Sequence, residues 1–365
     1  MTTARSKLLI KTGMIALLLL LALGMIALLG HRLGVLPAVA PLPHLALFLG
    51  TGGLACLLAG WLLSRPSLKK IALVACMIFF SINALAFTGA YALTHSRQPH
   101  PLSFGRPKPQ SSRTPSDIGL AYTTHRIAIT PSEWIETWVI PANQPQGTVL
   151  LFPGNLGTKG QQLLPSAQIF HDLNYNAMLV DFRGTGGSSG YATSVGFWEA
   201  EDVALAVQKA QQLSLASPLV LYGISMGSAA ILRAVAQKTV TPDAIILELP
   251  FTRLRDAIAN RISAFHLPTF PLTELLVFWG GIQQGFNGFA HSPINYAQQV
   301  TCPTLILQGQ HDRWISLPEV KKLQAQIRGA SELVVFPTAG HQLLVTVAPE
   351  LWEEKIRNFL AASQS

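Results

Sequence analysis

A serine between two glycines, in the run LVLYGISMGSAAILR (residues 219–233), is the first feature of this sequence that could do chemistry. In G-x-S-x-G, placed where an apolar strand gives way to a helix, the glycines permit a sharp turn, and the hydroxyl of Ser225 is lifted above the sheet at the helix start. A hydroxyl is a weak nucleophile near neutral pH and needs a base that is itself oriented by an acid. With a serine on such a strand-to-helix elbow the chain order is nucleophile, acid, base. That order selects Asp312, in LILQGQHDRWIS after a predicted strand, and His341, in VVFPTAGHQLL, the only histidine that follows it. Glu248, in IILELPF, is the competing acid, and its other reading is to fix loops by hydrogen bonding. His311 reads as a loop residue, because adjacent side chains diverge, and His266 and His291 read as packing or surface residues.

Acyl transfer also needs donors for the negative oxygen of a tetrahedral intermediate, each worth about 3 kcal/mol in comparable sites. The backbone N–H of Met226 is one expected donor. Asn155 in LLFPGNLGTKG, where Gly154 and Gly157 let backbone approach a substrate, is the other. That loop is no phosphate-binding Walker loop, since Gly160 is followed by Gln161 rather than by Lys and Ser or Thr. DFRGTGGSSG (residues 181–190) lacks the spacing of a dinucleotide fingerprint and reads as a sharp loop with Asp181 and Arg183 in structural hydrogen bonds. No HExxH, Cys/His cluster or acidic calcium loop occurs, so neither cofactor nor metal is expected. Cys56, Cys76 and Cys302 form no disulfide framework.

These groups need a scaffold that brings distant segments to one edge. Strands are predicted at 125–130, 134–140, 148–152, 177–181, 219–222, 244–249, 304–308 and 333–336. Helices are predicted at 161–172, 197–213, 226–237, 318–327 and 349–360. TVLLF, LVLY, AIILEL and TLILQ are continuously apolar, as strands covered on both faces are. Strands and helices taking turns predict an α/β fold with a mainly parallel, doubly wound sheet. Residues 251–300 interrupt the alternation with Phe265, Phe270, Phe278, Trp279, Phe286 and Phe289; they read as a cap with an apolar inner surface or as ordinary helix packing.

The N-terminal quarter has a different composition. Residues 1–93 hold seven Lys or Arg, no Asp or Glu, and three apolar stretches at 8–29, 45–63 and 71–93. Each is long enough to cross a bilayer, so three membrane spans are expected; a cleaved signal peptide is the rival for the first. Residues 118–365 carry 15 basic and 17 acidic side chains, so the formal charge of +8 resides in the N-terminal part. That distribution suits lipid headgroups and gives no basis for nucleic-acid binding. Lys/Arg bias around the first two spans favours a cytoplasmic N-terminus, and three crossings then place the C-terminal part on the outer face. Residues 94–117, with five prolines, read as an extended tether between this anchor (1–93) and a catalytic domain (118–365).

FPGN, DFRGTGGSSG, GISMGS, LELPF, GQHDRWIS and AGHQLL, in that order, resemble the serine hydrolases of the α/β-hydrolase superfamily. They look most like its monoacylglycerol-lipase-like and membrane-anchored branch. Pro153 departs from the His that many relatives carry before the oxyanion glycine. The resemblance implies an α/β-hydrolase fold and hydrolysis of lipid or other acyl esters without a cofactor. A peptidase or amidase using the same triad, and a catalytically silent membrane scaffold, are the alternatives.

Overall fold

The computed structural model describes residues 68–99 and 105–363. An eight-stranded sheet runs in the order β1-β2-β4-β3-β5-β6-β7-β8. Its strands are β1 (Thr123–Ala128), β2 (Trp134–Ile140), β3 (Thr148–Phe152), β4 (Asn176–Asp181), β5 (Leu219–Ile224), β6 (Ala244–Glu248), β7 (Thr304–Gly309) and β8 (Ser331–Phe336). β2 is antiparallel to β1 and β4, and every later pairing is parallel. All eight predicted strands are present, with ends shifted by up to two residues.

The continuous apolar runs bury both faces. In β3, Leu150 and Phe152 join one core with α3 (Glu199–Gln212) and α4 (Met226–Ala236). Val149 and Leu151 join the other, with α2 (Leu164–Asp172) and α10 (Pro349–Ala362). Alternate strand residues point to opposite faces, so one five-residue strand serves two cores. Trp352, Ile356, Phe359 and Leu360 repeat at helical spacing along α10 and close the second core. The predicted helix 161–172 is split: a π-turn, Lys159–Leu163, precedes α2.

Residues 251–300 fold as α5 (Leu254–Ala264), α6 (Leu272–Gln284) and the short α7 (Pro293–Tyr296). Of the two readings of this stretch, an apolar inner lining is not what the aromatic side chains mainly form. Phe265, Phe270, Phe278 and Phe289 are exposed, Phe270 to 75%; Phe286 packs inward, stacked on Phe197 at 4.3 Å. The remaining helices are α8 (Leu317–Gln324) and the short α9 (Leu344–Val347).

N-terminal to the sheet, α1 (Leu68–Thr94) includes the third predicted span. Its stretch Ala75–Thr94 is 20 residues long with mean hydropathy 1.7, the one helix among the described residues long and apolar enough to cross a membrane. The predicted spans at 8–29 and 45–63 lie outside the described residues. Leu93–Ser365 form one compact unit, and described residues of the proline-rich segment hydrogen-bond to the sheet domain. The Ser96 N–H donates to Tyr191 O (2.7 Å) and the Gly186 N–H to Pro109 O (2.9 Å). Gly160 N–H reaches Ser111 Oγ (3.2 Å). Prolines lower the entropy lost on docking, so a segment too polar to fold alone can still be ordered by a partner surface.

Beneath the loop after β3, Lys159 is 1% exposed. Its ammonium pairs with Asp181 and with Glu136 (3.0 Å) and lies over the Trp138 ring. Asp181 also accepts the N–H groups of Lys159 (2.7 Å) and Gly187 (3.0 Å). A Cβ on Gly186 would sit 1.9 Å from Asp181 Oδ2, so the glycines of DFRGTGGSSG let two loops close over this buried pair. Lys159→Met would leave Asp181 charged and without its cation. It is expected to destabilise the chain by about 3 kcal/mol, read as a lowered thermal midpoint in detergent; an unchanged midpoint would show that the pair contributes nothing.

Candidate active site

Sheet register gathers the site. Phe152 pairs with Gly223 and Ile224 with Glu248, so the ends of β3, β5 and β6 lie level. Ser225 follows β5 directly with φ 50° and ψ −102°, a backbone strained for a non-glycine residue by about 1–3 kcal/mol. The flanking glycines permit this turn by lacking a side chain. Neither has a positive φ; each clears a close approach. A Cβ on Gly223 would lie 2.5 Å from Gly227 C, and one on Gly227 would lie 2.5 Å from Phe152 O. The strain thus falls on the serine, while the glycines let α4 start against β3.

On the neighbouring strands, Gly309 at the end of β7 and Gly340 after β8 pass so closely that a Cβ on Gly309 would meet Gly340 O at 2.3 Å. That contact draws Asp312 and His341 together. His341 Nδ1 lies 2.7 Å from Asp312 Oδ2, which also accepts from Gln308 Nε2 at 3.2 Å. Asp312 Oδ1 accepts the N–H groups of Trp314 (2.8 Å) and Ile315 (3.0 Å). Burial pushes the Asp312 carboxyl up, but its hydrogen bond and attraction to His341 and the two backbone donors outweigh it, so the group lies below its ordinary value of 3.8. An ionised Asp312 fixes the proton of His341 on Nδ1 and leaves Nε2 as the basic nitrogen.

Glu248 does not compete for the histidine. Its buried carboxylate accepts from Tyr222 Oη (2.8 Å), Trp352 Nε1 (2.9 Å) and Leu344 N (2.9 Å), three residues past His341. Its carbonyl accepts the Ser225 N–H at 2.7 Å. One residue therefore pins both the elbow and the histidine loop. Burial raises its pKa, with the three donors opposing.

The expected oxyanion donors flank the elbow. A Cβ on Gly154 would be 3.7 Å from Ser225 Cβ, which places the Asn155 loop beside the serine. Gly154 N donates to Gln162 Oε1 (2.7 Å) and Gly157 N to Gly154 O (2.9 Å), so the loop is a closed turn. Among the described residues, neither Asn155 N–H nor Met226 N–H has an acceptor within the protein. Asp181 and Arg183 are structural, as read: Arg183 forks onto Asp202 from Nε (3.0 Å) and Nη2 (2.7 Å). His311 is an exposed loop residue and His266 is exposed. His291 is fully buried with its pKa pulled down to about 4 by desolvation, its Nε2 3.1 Å from Val195 O. Sequence reading missed Gln162, Gln308 and Trp314, which act through contacts between loops and carry no spacing signal.

Comparison with known proteins bears on the fold and the family. A family profile described as serine aminopeptidase, S33, matches residues 143–277. The chain is 27% identical to the protein YqkD of Bacillus subtilis, covering 53% of this chain and 64% of that one. It is 25% identical to the lysophosphatidylserine lipase ABHD12 of Danio rerio, covering 58% and 60%. The esterase Pf2001 of Pyrococcus furiosus shares the fold, with a TM-score of 0.60 at 22% identity over 70% of this chain and 96% of that one. The family profile, these relatives and the shared fold together support an α/β-hydrolase superfamily member.

Glu248→Gln places an amide N–H against donors that the carboxylate now satisfies. It is expected to cost about 2 kcal/mol or more and to slow labelling of the protein by a fluorophosphonate. Wild-type stability and labelling together would show that Glu248 supports neither loop.

Proposed function

We propose that this chain is a serine hydrolase of carboxylic esters, with Ser225 as nucleophile, His341 as base and then acid, and Asp312 as orienter. The observation that carries the reading is the Asp312–His341 hydrogen bond on the same sheet edge as the strained Ser225 elbow. His341 Nε2 takes the hydroxyl proton as Ser225 Oγ attacks the acyl carbon. The Met226 and Asn155 N–H groups hold the oxyanion, and the imidazolium then protonates the departing alcohol. Water, activated by the same imidazole, releases the acid from the acyl-enzyme. No step requires a cofactor.

A lipid or other apolar acyl ester is the substrate class this reading favours. In support, α1 has the length and composition of a membrane span, and relatives include lysophosphatidylserine lipases. Phe265, Phe270, Phe278 and Ile282 on the cap are exposed, as on a surface meant to meet lipid. Residues 1–93 would form a three-span anchor, 94–117 a linking strap and 118–365 the catalytic part, set on the outer face by the charge bias of the first two spans. The family description keeps an amide substrate as the second reading.

Ser225→Ala should abolish fluorophosphonate labelling and ester hydrolysis. Asp312→Asn should lower kcat about 10⁴-fold, as loss of the orienting acid does in serine triads. Turnover of acyl esters against aminoacyl amides separates the two substrate classes, and equal labelling of wild type and Ser225→Ala would remove the serine from its role.

A further inference from the structure

Helix α5 of the cap sets a guanidinium on the indole that packs against the proposed base. Arg261 Cζ lies 4.9 Å from the centre of the Trp314 ring, and that ring is 4.8 Å from the ring of His341. The backbone of Trp314 is held from both sides: its N–H by Asp312 Oδ1 at 2.8 Å and its carbonyl by Asn260 Nδ2 at 3.0 Å. Its indole contacts both the histidine ring and the guanidinium.

Arg261 has a charge and no counter-ion. Its Nη1 donates to Ala257 O at 3.1 Å. Arg253, just before this helix, and Arg255 on it pair with Asp256 or Glu274, but among the described residues no carboxylate lies within ion-pair distance of Arg261. None of its nitrogens is both sealed from solvent and unbonded, so the rest of the fork can receive a ligand. Desolvation pulls its pKa down, with the charge of Asp312 opposing, yet a guanidinium remains charged at working pH. A partly desolvated cation without a counter-ion is unfavourable, and an arriving anion would relieve it.

The position of this cation says which half of a substrate it meets. His341, as acid, must stand at the departing alcohol, so groups stacked beside it face the alcohol half of the ester and not the acyl chain. We propose that Arg261, seated on Trp314, forms a subsite for a phosphate group carried on the alcohol half of the substrate. The inference rests on the ester-hydrolase reading and assigns that site a preference for anionic esters.

The test uses the full chain in neutral detergent and two soluble esters with the same hexanoyl chain, one on glycerol and one on glycerol 3-phosphate. Wild type should favour the phosphate ester in kcat/KM. Arg261→Gln should lower the ratio of phosphate to neutral ester about tenfold or more, and Arg261→Lys, which keeps the charge but loses the fork, should recover part of it. Should Arg261→Gln fail to label with a fluorophosphonate, wild type decides alone: raising NaCl from about 0.05 to about 0.5 M should lower the ratio through screening. A ratio in labelled Arg261→Gln within twofold of wild type, or a wild-type ratio that salt does not change, overturns the subsite. Hydrolysis of the neutral ester alone also overturns it while leaving the hydrolase reading intact, whereas hydrolysis of neither ester removes both.

Discussion

The left-handed backbone of Ser225 is the constraint on which the candidate site depends. A serine at φ 50° relaxes unless its surroundings hold it. Here its N–H is held by the Glu248 carbonyl and its own carbonyl begins α4 by accepting Ala229 N at 3.2 Å. Gly227 lets that helix press against the end of β3. The strain is local, but the restraints come from three strands and a helix. It follows that the hydroxyl is positioned by the sheet as a whole, and that disturbing any of these strand ends would move it.

Buried polar groups carry the same logic outward. Glu248 couples the elbow to the histidine loop, and Lys159 with Asp181 couples the Asn155 loop to β4. Both carboxylates are fully buried, where charge is costly unless paired or hydrogen-bonded. Each is surrounded by donors from segments far apart in sequence. Such clusters add little net stability compared with an apolar replacement, but they admit few alternative loop arrangements. Their role here is to fix geometry around the strand ends while the two apolar cores supply the driving force for folding.

Much of this was legible in the sequence because the signals were local. Continuous apolar runs identify strands buried on two faces, and the order Ser, Asp, His along the chain identifies which polar residues can converge. The cap was not legible in the same way. Composition leaves Phe265, Phe270 and Phe278 open between an inner lining and ordinary packing, and all three are exposed. The proline-rich segment read as a tether because it cannot fold alone; its partners, Gly160, Gly186 and Tyr191, lie dozens of residues away. Trp314 and Gln308 gain their meaning only from what the fold puts beside Asp312 and His341.

The cap then joins two demands that a lipid ester would make. Its outer face is apolar, with Phe270 and Ile282 exposed to 75% and 60%, while Asn260 and Arg261 of its first helix grip the Trp314 loop beside the histidine. At the junction with α1, His95 Nε2 lies 3.3 Å from Gln284 Nε2 at the end of α6, and Trp198 Nε1 donates to the Gln284 carbonyl at 2.8 Å. Burial of exposed apolar side chains such as these against lipid is favourable at roughly 25 cal/mol per Å². On the reading proposed above, an amphiphilic ester would meet apolar side chains on the outer face of the cap and a cation on the indole beside the histidine. The same element would read both ends of the substrate.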